Sequence, residues 1–295
     1  MNMPVEHGQR AHSPQLAARV SERTINNGPV PYMEDSPHPL SGDLPSYLRQ
    51  RLAEKEILLM THIVLGYPSW ETSLQVIEAM VEAGVDLMEL QIPFSEPMAD
   101  GPVILRANQK ALEMGVTVRG CLDFAREVTQ RFDIPFFIMS YYNILFKYGL
   151  ERFAAALKER NLRGTIVPDL PPEEGQDYLQ LMGQQALAPI LFFSPTTPAS
   201  RMHYIASLAQ GFIYCLSRKG VTGADTHFSS DLADYLGRCR QATALPLALG
   251  FGIKDKGDID FLKGKVDIAV IGSQTIRIVE QQGSRAVGDF IRSLR

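Results

Sequence analysis

Two carboxylates in one short segment are the residues of this sequence best suited to do chemistry. They lie at the two ends of ELQIPFSEPMAD, the first part of residues 89–102. Glu89 belongs to an apolar run that is typical of a buried β-strand, and Asp100 follows on a loop marked by proline and glycine. A buried acid at a strand end, with a second acid on the loop above it, can place two proton-transfer groups around one substrate. A structural ion pair and a solvated turn would also explain these residues, because structural networks bury carboxylates too.

The overall composition narrows the class of protein. The chain has 295 residues, a net charge of −4 and no long basic stretch, so a nucleic-acid partner is not expected. Because no apolar run reaches about eighteen residues, no membrane span is expected either. Its three cysteines (Cys121, Cys215 and Cys239) lack CxxC spacing and fit a reducing, cytoplasmic compartment rather than a disulfide framework or a zinc site. The histidines show no ligand spacing, and no metal is expected.

The first 43 residues differ from the rest of the chain. They are polar and rich in proline and lack apolar periodicity, which predicts a disordered N-terminal tail. No hydrophobic segment of a secretory signal is present in them. Arginines beside serines faintly resemble an organelle transit peptide, but the acidic residues among them argue against it. We therefore expect a tail at 1–43 and a catalytic domain at 44–295.

From residue 44 onward, short apolar runs alternate with amphipathic stretches such as 72–83 and 150–160. This alternation predicts β-strands followed by helices. Eight such repeats in about 250 residues indicate an α/β fold of the (β/α)8 TIM barrel type. A doubly wound sheet would also alternate, but it usually has fewer strands, and no GxGxxG follows the first strand. The predicted strands are 57–65, 85–92, 135–140, 164–167, 188–193, 211–216, 245–250 and 267–271.

A barrel of this type predicts where a substrate and a phosphate would bind. Chemistry belongs at the C-terminal ends of the strands, and a phosphate site commonly follows strands seven and eight. The sequence has GFGI at 250–253, with Gly252, and GSQT at 272–275, where Gly272 and Ser273 open a predicted helix. Glycine lets the backbone approach an anion closely, and the free amides of a helix N-terminus favour it. We expect a phosphate site formed by these two turns.

The loop after the predicted sixth strand, SRKGVTGAD, has the composition of a lid that closes over a substrate. An ordinary exposed connection would fit the same residues. When the loop closes, Gly223 would add a backbone donor to the phosphate site.

Five motifs together resemble the tryptophan synthase α chain family, in order and at matching spacing. They are ELQIPFSEPMADGP, VPDLPPEE at 167–174, LSRKGVTG at 216–223, GFGI, and the IGS that ends the eighth strand. The resemblance covers about residues 44–295. It implies a lyase that cleaves indole-3-glycerol phosphate to indole and glyceraldehyde 3-phosphate in a retro-aldol step of tryptophan biosynthesis. It further implies no cofactor on this chain, and a partner β chain, carrying pyridoxal phosphate, in an α2β2 heterotetramer.

The resemblance also implies roles for individual residues. Glu89 matches the glutamate that protonates the indole ring carbon and removes the glycerol hydroxyl proton, and Asp100 matches the aspartate that holds the indole N–H. Tyr214 falls on the active-site tyrosine. Burial in an apolar barrel mouth raises the pKa of a carboxylic acid toward neutrality, where it can both donate and accept a proton.

The remaining matches concern the phosphate and the closing loop. The threonine of that loop is expected to orient the catalytic aspartate. The phosphate positions are Gly223, Gly252, Gly272 and Ser273, and the loop positions are Arg218 and Thr222.

Two positions near the catalytic pair depart from the family pattern. Gln91 stands where the family usually has glycine, and strand alternation points it to the same side as Glu89. Its amide is expected to line the pocket, where it could hydrogen-bond the catalytic carboxylate or crowd the indole. His62 stands where the family often has an apolar aromatic residue and is expected to face the barrel mouth.

Three further departures lie on the second loop and the helix that follows it. Glu96 replaces a usual aspartate, and Val103 and Leu105 replace threonine and glutamine. In the family this region passes the signal between the α and β chains, so these changes bear on the partnership more than on the cleavage chemistry.

Several functions therefore stay open at the level of sequence. The chain is expected to be the α chain of tryptophan synthase. The alternatives are a stand-alone lyase, a non-catalytic regulatory subunit of a β chain, and another phosphate-sugar barrel enzyme. A Schiff-base aldolase is disfavoured because Lys219 and Lys254 lie in loops rather than at strand ends. A metal aldolase would need a histidine cluster that the sequence lacks.

Overall fold

Eight parallel strands pair in sequence order, and the last pairs with the first, so the sheet closes into a barrel. The computed structural model describes residues 43–217, 230–250 and 252–295. The predicted TIM barrel is confirmed, and each strand lies within its predicted apolar run. The strands are β1 (Leu58–Val64), β2 (Leu87–Gln91), β3 (Phe136–Met139), β4 (Gly164–Ile166), β5 (Ala188–Phe193), β6 (Ile213–Leu216), β7 (Leu247–Gly250) and β8 (Ile268–Ile271).

Helices connect the strands along the outside of the barrel. The predicted helix at 72–83 begins at Trp70, because the hydroxyl of Ser69 accepts a hydrogen bond from the Thr72 amide and caps the helix. The helices are α1 (Leu44–Glu54), α2 (Trp70–Glu82), α3 (Pro102–Glu113), α4 (Val118–Arg131), α5 (Tyr142–Tyr148), α6 (Leu150–Glu159), α7 (Gln176–Gln184), α8 (Ala199–Leu208), α9 (Ser230–Ala242), α10 (Lys256–Leu262), α11 (Ser273–Gln282) and α12 (Ser284–Ser293). The predicted disordered tail falls on residues that lie outside the described part of the chain, except for Asp43, which caps α1.

Alternate residues of each strand point into the barrel, where apolar side chains form a closed interior. Phe137 of β3 meets Phe212 edge to face, with ring centroids 5.4 Å apart. Leu44 and Leu48 of α1 join the same cluster and close its lower end. The polar side chains that point inward from β1 and β2 lie nearer the C-terminal ends of these strands. The candidate catalytic groups therefore lie at the other mouth of the barrel, away from α1.

A buried carboxylate holds the lower end together. Asp86, directly before β2, accepts hydrogen bonds from Arg51 at 2.8 Å, Lys55 at 2.6 Å, Arg295 at 3.1 Å and the Leu59 amide at 3.0 Å. Burial raises the pKa of Asp86, but these hydrogen bonds and charges outweigh it, so the net shift is downward. This cluster ties α1 and the C-terminal residue to the start of β2.

Neither a membrane-spanning helix nor a group of metal-binding side chains is found within residues 43–217, 230–250 and 252–295.

We expect Asp86→Asn to lower the free energy of unfolding by about 3–5 kcal/mol, since removing one partner of a buried ion cluster leaves the other charges uncompensated. Urea unfolding followed by circular dichroism at pH 7 measures this. Because folding depresses the pKa of Asp86, its contribution is present at neutral pH and is lost as the pH falls through its native pKa. The control is Asp289→Asn, whose exposed pair with Arg292 should contribute nothing measurable. Equal stability of the two variants would contradict the assignment.

Candidate active site

Strand register brings a histidine and a glutamate together at the barrel mouth. β1 pairs with β2 so that His62 stands opposite Glu89, and both side chains point inward. Nδ1 of His62 lies 3.0 Å from Oε1 of Glu89, with 3% and 4% of the two residues exposed. Burial lowers the pKa of His62, but the charge and hydrogen bond of Glu89 raise it more, so the net shift is upward. The side chain of His62 therefore faces the barrel mouth.

The second carboxylate has a different partner. Nε2 of Gln91 donates a hydrogen bond to Oδ2 of Asp100 at 2.6 Å. This amide therefore bonds Asp100 rather than Glu89, because the turn at 97–100 brings Asp100 over the end of β2. Burial raises the pKa of Asp100, and the charge of His62 and hydrogen bonds from Gln91 and Tyr141 oppose this rise only in part.

Tyr214 of β6 is a further polar group at the barrel mouth. Its ring packs against Phe192, with centroids 5.4 Å apart. Burial, and then the charges of Glu89 and Asp100, raise its pKa well above the usual value, so its hydroxyl stays protonated. The hydroxyl oxygen lies 3.0 Å from the place where a Cβ at position 250 would be, which accounts for Gly250.

One residue of the site was not among the sequence predictions. Tyr141 follows β3 and is fully buried, with its ring stacked on Phe94 at 5.0 Å. Its hydroxyl oxygen accepts a hydrogen bond from the Ala99 amide at 3.1 Å and so holds the loop that carries Asp100. Its place at the C-terminal end of a barrel strand was the available signal, because barrel chemistry concentrates there.

The turn after β8 lies directly behind the histidine. Gly272 caps α11, and a Cβ at this glycine would lie 3.7 Å from the Cβ of His62. Thr275 fixes the turn by donating to the Gly272 carbonyl at 2.7 Å. The first amides of α11, beginning with Ser273, form an electropositive end next to the carboxylate pair.

Of the other predicted phosphate and loop positions, the structure describes only Gly252. Gly252 has a positive φ of 70° and no heavy atom within 4 Å of where its Cβ would be, so the chain there is open to a close approach. Gly223, Arg218 and Thr222 lie outside the described residues.

The cluster combines three chemical capacities. Glu89 and its histidine can transfer protons, and Asp100 and Tyr214 can accept and donate hydrogen bonds. The helix end after Gly272 can hold an anion. Together these groups suit a phosphorylated substrate that gains one proton and loses another.

Comparison with known proteins agrees with this chemistry. The family model described as tryptophan synthase alpha chain matches residues 48–292. The alpha chain of Desulforapulum autotrophicum is 62% identical over 251 residues, which cover 85% of this chain and 99% of that protein. That of Syntrophotalea carbinolica is 60% identical over 252 residues, covering 85% of this chain and all of that protein.

Solved structures show the same similarity. Mycobacterium tuberculosis tryptophan synthase aligns with a TM-score of 0.79 and 28% identity over 85% of this chain and 96% of that chain. The alpha chain from Legionella pneumophila aligns with a TM-score of 0.77 and 28% identity over 85% and 95% of the two chains. With this fold, these motifs and these relatives, the chain belongs to the tryptophan synthase alpha chain family.

Proposed function

We propose that the polar cluster at the barrel mouth is where this chain carries out the lyase reaction of its family, the cleavage of indole-3-glycerol phosphate to indole and glyceraldehyde 3-phosphate. The observation that carries the proposal is the convergence of Glu89 and Asp100 beside the glycine-opened end of α11. One carboxyl group can then handle the protons while the other holds the ring nitrogen.

Each residue has a distinct role in the proposed reaction. Glu89, in its acid form, protonates the ring carbon that carries the side chain, which places positive charge on the ring nitrogen. Asp100 accepts a hydrogen bond from that N–H and stabilises the charge. Glu89 then removes the hydroxyl proton, the carbon–carbon bond breaks and its electrons return to the ring, so the reaction consumes no net proton. Tyr214 borders both carboxylates.

The phosphate is proposed to bind at the opening of α11. Gly272 and Ser273 offer backbone amides there, and Gly252 and Gly223 are proposed to complete the site. Arg218 and Thr222 are proposed to belong to the loop that closes over it. The catalytic domain is proposed to span residues 44–295.

Family membership implies a β-chain partner, and we propose that the pair forms an α2β2 heterotetramer in which the β chain carries pyridoxal phosphate. Two large apolar side chains at the mouth support such an interface: Met98, on the loop after β2, and Phe146, on α5 after β3, are 74% and 64% exposed. Val103 of α3 is buried in a cluster with Val64 of β1, so its departure from the family pattern affects the packing of this helix on the barrel.

We propose that the protein lies in the cytoplasm. Its three free cysteines support this proposal, because a reducing compartment keeps thiols unpaired.

We expect Glu89→Gln to abolish indole release, because a positioned proton-transfer group contributes about 10²–10⁴-fold. Asp100→Asn should nearly abolish it, because a neutral amide does not stabilise the positive charge on the ring nitrogen. Purified protein with indole-3-glycerol phosphate, assayed for indole, tests both. Glyceraldehyde 3-phosphate should still bind to each variant. The matched control is Glu96→Gln on the loop that also carries Asp100. The carboxylate of Glu96 is exposed, so this variant should keep its activity when no β chain is present. Turnover retained in Glu89→Gln would overturn the assignment.

We expect Gln91→Leu to move the acidic limb of the indole-release profile to higher pH. The wild-type amide donates to the Asp100 carboxylate and so opposes the rise that burial causes in its pKa. Without the donor, Asp100 becomes protonated at a higher pH and no longer stabilises the ring charge. Initial rates between pH 5 and pH 9 measure the shift. A variant faster than wild type at every pH would instead show that Gln91 crowds the indole.

Adding a β chain should raise the rate of indole release, and Phe146→Ala should weaken that response. The matched control is Tyr204→Ala on α8, an exposed aromatic residue of the outer helix layer, which should respond as wild type does. Titration of each variant with the β chain, followed by indole release and by analytical ultracentrifugation, makes the measurement. Brisk release that no β chain changes would favour the stand-alone lyase. No release under either condition would leave the regulatory subunit.

A further inference from the structure

His62 is a buried titratable residue in direct contact with the proposed proton-transfer group. Its Nδ1 bonds to Glu89, and the side chain of Gln91 also faces the ring and favours the protonated imidazole. Within the described part of the chain, His62 is also the one group of basic type that lies within ion-pair distance of Glu89.

The charged and titratable groups around His62 favour its protonated form. Glu89 approaches it from β2, Asp100 from the loop after β2, and Tyr214 borders both carboxylates from β6. Behind it lies the backbone turn at Gly272. A neutral imidazole would leave the buried carboxylate of Glu89 without a compensating charge, which is costly for a carboxylate this inaccessible to solvent.

We propose that His62 is a positioning residue that stores the proton which Glu89 delivers to the substrate. This inference rests on the proposed function of Glu89 and deepens it. It explains how a carboxyl group can act as an acid near neutral pH in this chain, where a histidine replaces the apolar aromatic residue common in the family.

The proton balance of the proposed cycle closes. In the resting enzyme the proton is on Nδ1 of His62 and Glu89 is a carboxylate. The proton moves along the 3.0 Å hydrogen bond to Oε1, leaving His62 neutral, and Glu89 passes it to the ring carbon of the substrate. Glu89 then takes the hydroxyl proton as the carbon–carbon bond breaks and returns it to Nδ1. The pair ends with the proton it began with.

The test variant is His62→Asn, whose side-chain amide can still donate a hydrogen bond to Glu89 but cannot hold a titrating proton. The proposal predicts that wild-type kcat for indole release persists to alkaline pH, and that the variant loses activity from a lower pH. At pH 8 its kcat should fall by about 10²-fold, the lower end for a proton-transfer contribution, with a much smaller loss at pH 5.5 and little change in KM. Circular dichroism melting verifies that the variant folds. A uniform loss at every pH would mean that His62 only orients Glu89, and would overturn the proposal.

A second measurement reads the proton directly and needs no turnover. In full-length protein labelled with ¹⁵N-histidine, the His62 signals are those absent from the His62→Asn spectrum. They should report a protonated imidazole at pH 7.5, and in Glu89→Gln the titration should move to lower pH. A neutral His62 at pH 7, or a titration unaffected by Glu89→Gln, would sink the proposal. If wild-type protein releases no indole, the proposed function fails, while this titration still decides the state of His62.

Discussion

A carboxylate buried beside an imidazole is the interaction on which the rest of the site depends. Removing Glu89 from water costs several kcal/mol unless a partner compensates, and His62 at 3.0 Å is that partner. The contact exists only because β1 and β2 pair in one register, since a slip of either strand by one residue would turn that strand's member of the pair to the outer face. Barrel closure, which holds β1 between β2 and β8, therefore fixes the chemistry as well as the fold.

The two carboxylates of the site differ because their partners differ. Glu89 faces a group that can gain or lose a proton, whereas Asp100 faces the NH2 group of Gln91, which donates a hydrogen bond but does not titrate. Gln91 stands two residues beyond Glu89 on the same strand, so one inward row of β2 serves both acids. Environments that separate the behaviour of two neighbouring acids in this way allow one to transfer protons while the other stabilises charge.

The sequence predicted much of this arrangement, because apolar runs and strand alternation are local properties. All eight strands followed from them. The bond between Gln91 and Asp100 was not among the expectations, since it depends on the turn that returns Asp100 over β2, which no periodicity encodes. Tyr141 was missed for a similar reason: its contact with Ala99 joins residues 42 positions apart. The close approach of the Tyr214 hydroxyl to Gly250 was likewise not predicted, because it joins neighbouring strands.

Burial alone does not separate the structural acid of this barrel from the proposed catalytic one. Asp86 directly precedes β2 and Glu89 is the third residue of that strand, and both side chains are almost wholly inaccessible to water. Asp86 is held by three cations that keep their charge throughout the neutral range, namely Arg51, Lys55 and Arg295. Asp86 therefore stays ionised in that range and does not exchange a proton. Glu89 is held by a histidine, the side chain whose charge changes in that range. The titration of the partner, more than the depth of the carboxylate, therefore decides which of the two acids stabilises the fold and which can exchange a proton with a substrate.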